Sequence, residues 1–224
     1  MNINNKVKEV IEKIDITYLK ADIITSIVHK YINLCKRYGF YGLCLPMEKI
    51  IENYKEIEKI QSKIVTVIGF PFGYNNTDYK IKEIAYIKNF CIDEYDIVMN
   101  VSKFLEKDYK YVEEELTKIR KFTKNKTIKV IIEACYLNKR QILDAVSLLI
   151  NCGIDFVKTS TGFGASGARL EDIELIKNAF GDKIMIKASG GIKTFEQAVM
   201  FINAGADRLG MSNVDDIIEK YESS

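Results

Sequence analysis

Residues 153–191 read GIDFVKTSTGFGASGARLEDIELIKNAFGDKIMIKASGG, and this stretch decides the fold. Two short apolar runs, at 155–158 and 183–187, are separated by a segment that Gly181 closes. Glycine just past a helix supplies the left-handed stop, so Gly181 marks a helix end with a strand behind it. Each apolar run ends in a lysine, Lys158 and Lys187. Each lysine opens a loop of Gly and hydroxyl residues: Thr159-Ser160-Thr161-Gly162 in one case, Ala188-Ser189-Gly190-Gly191 in the other. Strand, helix and second strand make a parallel unit with a right-handed crossover.

The same unit recurs in both directions along the chain. Further strands are expected at 14–17, 40–45, 64–69, 96–99, 128–133 and 208–210. The runs Ile64-Val65-Thr66-Val67-Ile68 and Ile128-Lys129-Val130-Ile131-Ile132 are the near-continuous kind that suits parallel strands covered on both faces. Between strands, apolar residues fall on one helical face: Ile24, Ile27, Val28, Tyr31, Leu34 and Cys35, then Val112, Leu116 and Ile119, then Phe195, Ala198, Val199 and Ile202. Gly39, Gly153 and Gly205 repeat the stop seen at Gly181. Eight such units in 224 residues leave 28 residues each. That predicts an α/β protein, a (β/α)8 TIM barrel, a fold that takes about 250 residues and as few as about 200. A short extra helix is expected over residues 2–13, before the first strand. An open doubly wound sheet is the alternative, but it would gather its polar residues at one switch point. Here they end strand after strand. No linker is visible, so residues 1–224 read as one barrel domain.

Composition narrows the function classes. Apolar residues make up 47% and charged residues 29%, which excludes a disordered or collagen-like chain. A chain of this mass hides about 70% of its surface on folding, enough for a core without metal or disulfide staples. Net charge is +2 with the signs mixed, so neither nucleic acid nor an anionic membrane is an expected partner. No apolar run reaches the ~18 residues of a membrane span, and residues 1–8 lack a signal core. The five cysteines, Cys35, Cys44, Cys91, Cys135 and Cys152, form no C-x-x-C pair and are odd in number. They read as free, mostly buried thiols in a cytoplasmic protein. There is one histidine, His29, on the polar face of its helix, and no tryptophan. A His-based triad and a multi-His metal site are thereby excluded, and no metal site is expected. Lys, Asp, Glu, Tyr, Ser or Cys must carry any proton chemistry.

In a TIM barrel the site lies at the C-terminal ends of the strands. The residues expected there are Asp15 and Thr17, Asp96 and Asn100, Glu133, Lys158, Lys187, and Gly210 through Asn213. A lone lysine is usually a solvated one. Two that close adjacent strands point into one pocket, where like charges depress each other's proton affinity. A neutral lysine is a nucleophile that forms a Schiff base with a carbonyl substrate. Asp96 is placed to shuttle protons or to pair with a lysine. Thr161-Gly162, Gly190-Gly191 and Gly210-Met211-Ser212-Asn213 read together as an anion site, built from loop amides with help from helix N-termini. Phosphate is the expected anion, since barrels commonly bind it after strands seven and eight. Spacing alone leaves open which lysine attacks. Cys44 and Cys135 read as buried fillers.

These motifs together resemble the deoxyribose-phosphate aldolase family of class I, Schiff-base aldolases. The resemblance runs from about Asp15 to Asn213. It rests on Asp15-Ile16-Thr17-Tyr18-Leu19-Lys20, Val67-Ile68-Gly69-Phe70-Pro71-Phe72-Gly73, Asp93-Glu94-Tyr95-Asp96-Ile97-Val98-Met99-Asn100 and Lys129-Val130-Ile131-Ile132-Glu133. The most specific motifs are Lys158-Thr159-Ser160-Thr161-Gly162-Phe163 and Lys187-Ala188-Ser189-Gly190-Gly191-Ile192-Lys193. The resemblance implies Lys158 as the Schiff-base lysine, Lys187 as a second lysine that stays protonated, and Asp96 as the proton relay. It implies phosphate contacts at Gly162, Gly190, Gly191, Gly210 and Ser212. It also implies a cytoplasmic lyase of deoxyribonucleotide catabolism that cleaves a sugar phosphate without cofactor or metal, and a homo-oligomer, dimer or tetramer. The sequence departs from the family pattern at Ile16, Ala21, Leu45 and Asn213. Tyr221 is a candidate for a tyrosine that some members carry near the C-terminus. Two other readings compete. One is a different phosphate-binding barrel enzyme, an isomerase or transaldolase-like enzyme. The other is a non-catalytic binding protein derived from the barrel.

Overall fold

A computed structural model describes residues 3–223. Eight parallel strands follow one another around a closed barrel: β1 (Ile14–Thr17), β2 (Gly42–Leu45), β3 (Lys63–Ile68), β4 (Glu94–Val98), β5 (Thr127–Ile131), β6 (Phe156–Lys158), β7 (Met185–Ser189) and β8 (Arg208–Met211). β8 pairs with β1 to close it. The helices are α1 (Ile3–Ile11), α2 (Thr25–Tyr38), α3 (Met47–Glu52), α4 (Tyr54–Ile57), α5 (Thr77–Ile87), α6 (Val101–Leu105), α7 (Tyr109–Phe122), α8 (Lys139–Asn151), α9 (Leu170–Phe180), α10 (Phe195–Asn203) and α11 (Asp215–Glu222). The expected extra helix is α1, which packs against α10 and α11. Its expected first residue, Asn2, lies outside the described residues.

Period-two alternation divides the barrel into two chemistries. One set of strand residues faces the helices: Ile14, Ile16, Leu43, Leu45, Ile97, Val130, Ile186 and Leu209 all belong to the large apolar core. The other set faces the barrel axis. Register confirms it, since Asp96 is paired with Lys129, Lys158 with Lys187, and Lys187 with Arg208. Among the described residues, only Cys44, Val65 and Val67 form an apolar cluster on that inner side. The stabilising core is therefore the layer between strands and helices, and the axis is left free for charge.

Strand ends differ from the sequence expectation by at most two residues. β5 stops at Ile131 rather than 133, because Glu133 has φ 47°, a left-handed conformation that leaves the sheet. β7 runs on to Ser189, because Ala188 and Ser189 pair with Leu209 and Gly210 of β8. β4 starts earlier than expected, at Glu94, paired with Val65 and Thr127.

Candidate active site

Seven ionisable side chains meet inside the barrel: Asp15, Glu94, Asp96, Lys129, Lys158, Lys187 and Arg208, none more than 6% exposed. Asp96, central on β4, is the hub. Its Oδ2 accepts from Lys158 Nζ at 2.7 Å and from Lys187 Nζ at 2.8 Å. The two lysine nitrogens therefore stand within about 5.5 Å of each other. Its Oδ1 accepts from Lys129 Nζ at 2.9 Å. Burial alone would raise the Asp96 pKa. The ammonium groups of Lys129, Lys158 and Lys187 overcome that and hold the carboxyl well below its ordinary range. Asp96 is thus a carboxylate, able to accept a proton.

A layer below, Asp15 accepts from Lys187 and from Arg208 Nη1, the latter at 3.0 Å. Burial pushes the Asp15 pKa up, but Lys187, Lys129 and Arg208 bring it below the usual value. Glu94 Oε2 lies 2.5 Å from Lys129 Nζ and 3.6 Å from Arg208 Nη1. The Arg208 guanidinium stacks 3.2 Å over the ring of Tyr41, the residue just before β2. Burial disfavours the charged form of Lys187, yet Asp15 and Asp96 together raise its pKa above the usual lysine value. Lys129 is raised in the same way: Asp96, Asp15 and Glu94 outweigh burial and the like charge of Lys187. Lys187 and Lys129 are held as cations.

Above the hub lies a cleft of about 110 Å³. Among the residues expected to act, Thr17, Lys158, Thr161, Gly162, Gly190, Gly191, Gly210 and Ser212 line it. Asp96 and Lys187 lie beneath its floor, joined to it through Lys158. Asp15 is fully buried, has its carboxylate between Lys187 and Arg208, and does not border the cleft. Asn213 spends its side-chain oxygen on the Asp215 amide at 2.9 Å and is likewise outside the lining. Gly190 has φ 86°, and a Cβ there would stand 3.0 Å from the Gly167 Cα, so only glycine fits this turn. The N-terminus of α10 is spent elsewhere. Its Phe195 amide donates to Asp216 and its Gln197 amide to Thr194. Loop amides rather than this helix end face the cleft.

The sequence reading missed Lys129, Glu94 and Arg208. Alternation from Asp96 and Lys158 along their strands, and across the register, would have placed all three on the axis. It also missed Lys20, which with Lys158 supplies the cationic lining of the cleft. Glu133 was expected only at a strand end. It turns out to be 4% exposed, and its carboxylate accepts from the Thr161 hydroxyl and, at 3.2 and 3.3 Å, from the Thr161 amide. It ties the loop after Lys158 to the end of β5. Burial raises the Glu133 pKa, against the pull of those bonds. Other expectations meet simple outcomes. His29 is 45% exposed and 3.6 Å from Glu56. Cys44 is buried, while Cys135 is only half-buried, next to Glu133 and Gly164. Tyr221 packs edge-on against Tyr38 at 5.8 Å and does not line the cleft.

Comparison with known proteins follows the same lines. Residues 54–214 match the DeoC/LacD family aldolase profile. The chain is 41% identical over 206 residues to the deoxyribose-phosphate aldolase of Finegoldia magna, covering 92% of this chain and 97% of that one. It is 38% identical over 216 residues to the enzyme of the same name from Thermococcus kodakarensis, covering 95% and 96%. Among solved structures, "QR15, an Aldolase" superposes with a TM-score of 0.91 at 37% identity, covering 96% of each chain. A tetrameric deoxyribose phosphate aldolase from Aeropyrum pernix superposes with a TM-score of 0.89 at 27% identity, covering 99% and 97%. With a closed eight-stranded barrel, a lysine pair on one carboxylate and relatives of this extent, the chain belongs to the DeoC/LacD aldolase family.

Proposed function

We propose that the chain reversibly cleaves 2-deoxy-D-ribose 5-phosphate to acetaldehyde and D-glyceraldehyde 3-phosphate through a Schiff base on Lys158. The observation that carries this reading is the shared Asp96 oxygen. Two lysines bind it, but only Lys158 borders the cleft. Lys187 is held by two carboxylates and is fully buried. Lys158 is held by one. The lysine that substrate can reach is also the one least bound.

The neutral amine of Lys158 attacks the C1 aldehyde, and the carbinolamine loses water to give an iminium. A base takes the proton from the C3 hydroxyl, and the C2–C3 bond breaks. Its electron pair flows into the iminium and leaves an enamine, while C3 departs as the aldehyde of glyceraldehyde 3-phosphate. Asp96 is the base, directly or through a water, since it is ionised and bound to Lys158. Protonation of the enamine carbon and hydrolysis release acetaldehyde and restore the amine. Lys187, a fixed cation at 2.8 Å from Asp96, holds that carboxylate in place between proton transfers. The glycine-rich loops around Gly162, Gly190, Gly191, Gly210 and Ser212, with Thr17 and Lys20 at the rim, take the phosphate. A cytoplasmic place in deoxyribonucleotide catabolism and assembly as a homo-oligomer belong to the same proposal. No described helix is long and apolar enough to cross a membrane, and the Aeropyrum pernix relative is described as a tetramer.

The test is borohydride reduction in the presence of deoxyribose 5-phosphate, followed by peptide mass analysis. The expected result is a two-carbon or five-carbon adduct on Lys158 and acetaldehyde release in a coupled assay. Sugar-phosphate isomerisation with no adduct on any lysine would refute the proposal.

A further inference from the structure

Among the described residues, Ser189 is the one buried polar side chain of the cleft wall that has no assigned work. It lies two residues beyond Lys187 on the same inward face of β7, and it lines the cleft. It is 5% exposed, and among the described residues its Oγ has no hydrogen-bond partner. Its backbone is fully engaged. The amide donates to Thr159 Oγ1 at 3.1 Å, and the carbonyl accepts from Thr159 Oγ1 at 3.3 Å and from the Ala168 amide at 3.0 Å. A buried hydroxyl without a partner is unfavourable and uncommon in a native protein.

The two threonine hydroxyls of the cleft wall are occupied, and the Ser212 side chain lies exposed at the rim. Thr17 donates to the Asp15 carbonyl at 2.9 Å, and Thr161 donates to Glu133. The neighbouring strand keeps space open in front of Ser189. Gly210 lies opposite it in the register, and a Cβ on Gly210 would collide with Ser189 Oγ and stand 3.3 Å from Lys187 Cε. A side chain at 210 would cover the hydroxyl; glycine leaves it facing the cleft.

Resting on the aldolase reading above, we infer that Ser189 is a substrate-binding residue that hydrogen-bonds the C4 hydroxyl of the sugar phosphate, between the lysine pair and the phosphate loops. The spacing suits that atom. Two strand residues advance about 6.6 Å from the level of Lys187 toward the mouth. C1 is fixed at Lys158 and the phosphate lies at the rim, so the group met midway is the hydroxyl one carbon beyond the bond that breaks. In the synthetic direction this is the 2-hydroxyl of the acceptor, D-glyceraldehyde 3-phosphate. A site that offers a hydrogen bond to a substrate hydroxyl discriminates against the analogue lacking it, because its own polar group is then left unpaired.

The test compares two acceptors, each with acetaldehyde as donor: D-glyceraldehyde 3-phosphate and 3-phosphooxypropanal, which keeps the phosphate and lacks the hydroxyl. Wild-type enzyme should favour the first. In Ser189→Ala the ratio of the two kcat/KM values should fall about tenfold. Thermal stability should stay level or rise, because the variant removes a hydroxyl that bonds nothing in the protein. A ratio that does not change overturns the inference, as does a lowered Tm, which would assign the hydroxyl to the fold. Borohydride trapping of acetaldehyde on Lys158 in both proteins separates this outcome from failure of the Schiff-base reading. If wild-type enzyme traps nothing, the aldolase proposal has failed; if both trap equally and the ratio holds, only the role of Ser189 has.

Discussion

Replacing Lys129 with methionine tests the charge architecture on which the site is built. Lys129 is fully buried on β5 below the cleft and does not line it. Its Nζ lies 2.5 Å from Glu94, 2.9 Å from Asp96 and 3.8 Å from Asp15. At an effective dielectric of about 20, a unit pair at 2.9 Å is worth about 6 kcal/mol. Desolvation and the like charge of Lys187 reduce the net figure. Breaking a buried pair by removing one partner costs about 3–5 kcal/mol, because the other charge is left uncompensated. That is a large part of the roughly 5–15 kcal/mol that holds a domain folded. At about 2–4 °C per kcal/mol for a chain of this size, Lys129→Met should lower Tm by about 6–20 °C. The assay is calorimetry on four proteins: wild type, Lys129→Met, Glu94→Gln and the double variant. Removing both charges restores the balance of the cluster, so the double variant should be more stable than the sum of the single losses by at least about 1 kcal/mol. A loss under about 1 kcal/mol for Lys129→Met, or strict additivity in the double variant, would refute the argument that this lattice of charge is mutually compensated.

Two further outcomes follow from the same geometry. Asp15 and Asp96 have pKa values lowered in the fold, so their contribution to stability is complete above about pH 4, the unfolded carboxylate value. It is lost as pH falls through their depressed folded values. Melting followed by circular dichroism from pH 6 to pH 2 should show Tm falling below about pH 4, with a shallower fall in Asp96→Asn; a flat profile in wild type would contradict the shifts. Glu133→Ala leaves the Thr161 amide and hydroxyl without their acceptor, which costs about 1–3 kcal/mol and loosens the loop behind Lys158. It should lower kcat/KM for the sugar phosphate severalfold while leaving borohydride trapping on Lys158 intact, and unchanged kinetics would show that the loop is held by other contacts.

Most of the barrel was legible because its signals are local and repeated. Alternating apolar runs, Gly181-type stops and lysines at strand ends each need only a few residues of context. The register that closes the barrel is not local, and the misread features all depend on it. Lys129 sits in the middle of an apolar run, where single-sequence reasoning treats a lysine as an outlier. In a closed barrel that position faces an axis lined by Asp96 and Glu94, so burying it is compensated. Asp15 was expected to meet substrate because it lies on β1 near Thr17. Asp15 shares the inward face with Thr17 but lies two residues deeper on the axis, where Lys187 and Arg208 bind it. Glu133 was read as the end of a strand, since nothing in the run Val130-Ile131-Ile132 signals that the next residue turns left-handed. Spacing found the lysine pair, the family resemblance supplied a division of labour between them, and the cleft, which only Lys158 borders, supports the same proposal.

That division follows from counting charge on the axis. Three carboxylates, Asp15, Glu94 and Asp96, face four basic groups, Lys129, Lys158, Lys187 and Arg208. In the proposed mechanism Lys158 attacks as the neutral amine, and the buried cluster then balances at three against three. Forming the iminium then adds one positive charge at the nitrogen 2.7 Å from Asp96. In a buried site a carboxylate already fixed at that distance stabilises the new charge with no reorganisation. Cleavage of the C2–C3 bond sends an electron pair back into the iminium while the C3 hydroxyl proton passes to Asp96, so the extra positive charge leaves the nitrogen and is carried by that proton until the enamine carbon takes it. The extra positive charge thus moves between the nitrogen that faces the cleft and the Asp96 carboxyl 2.7 Å away. Lys129 and Lys187 keep Asp96 ionised until it takes the proton and favour its release afterwards, and this is why so small a cleft needs so much charge beneath it.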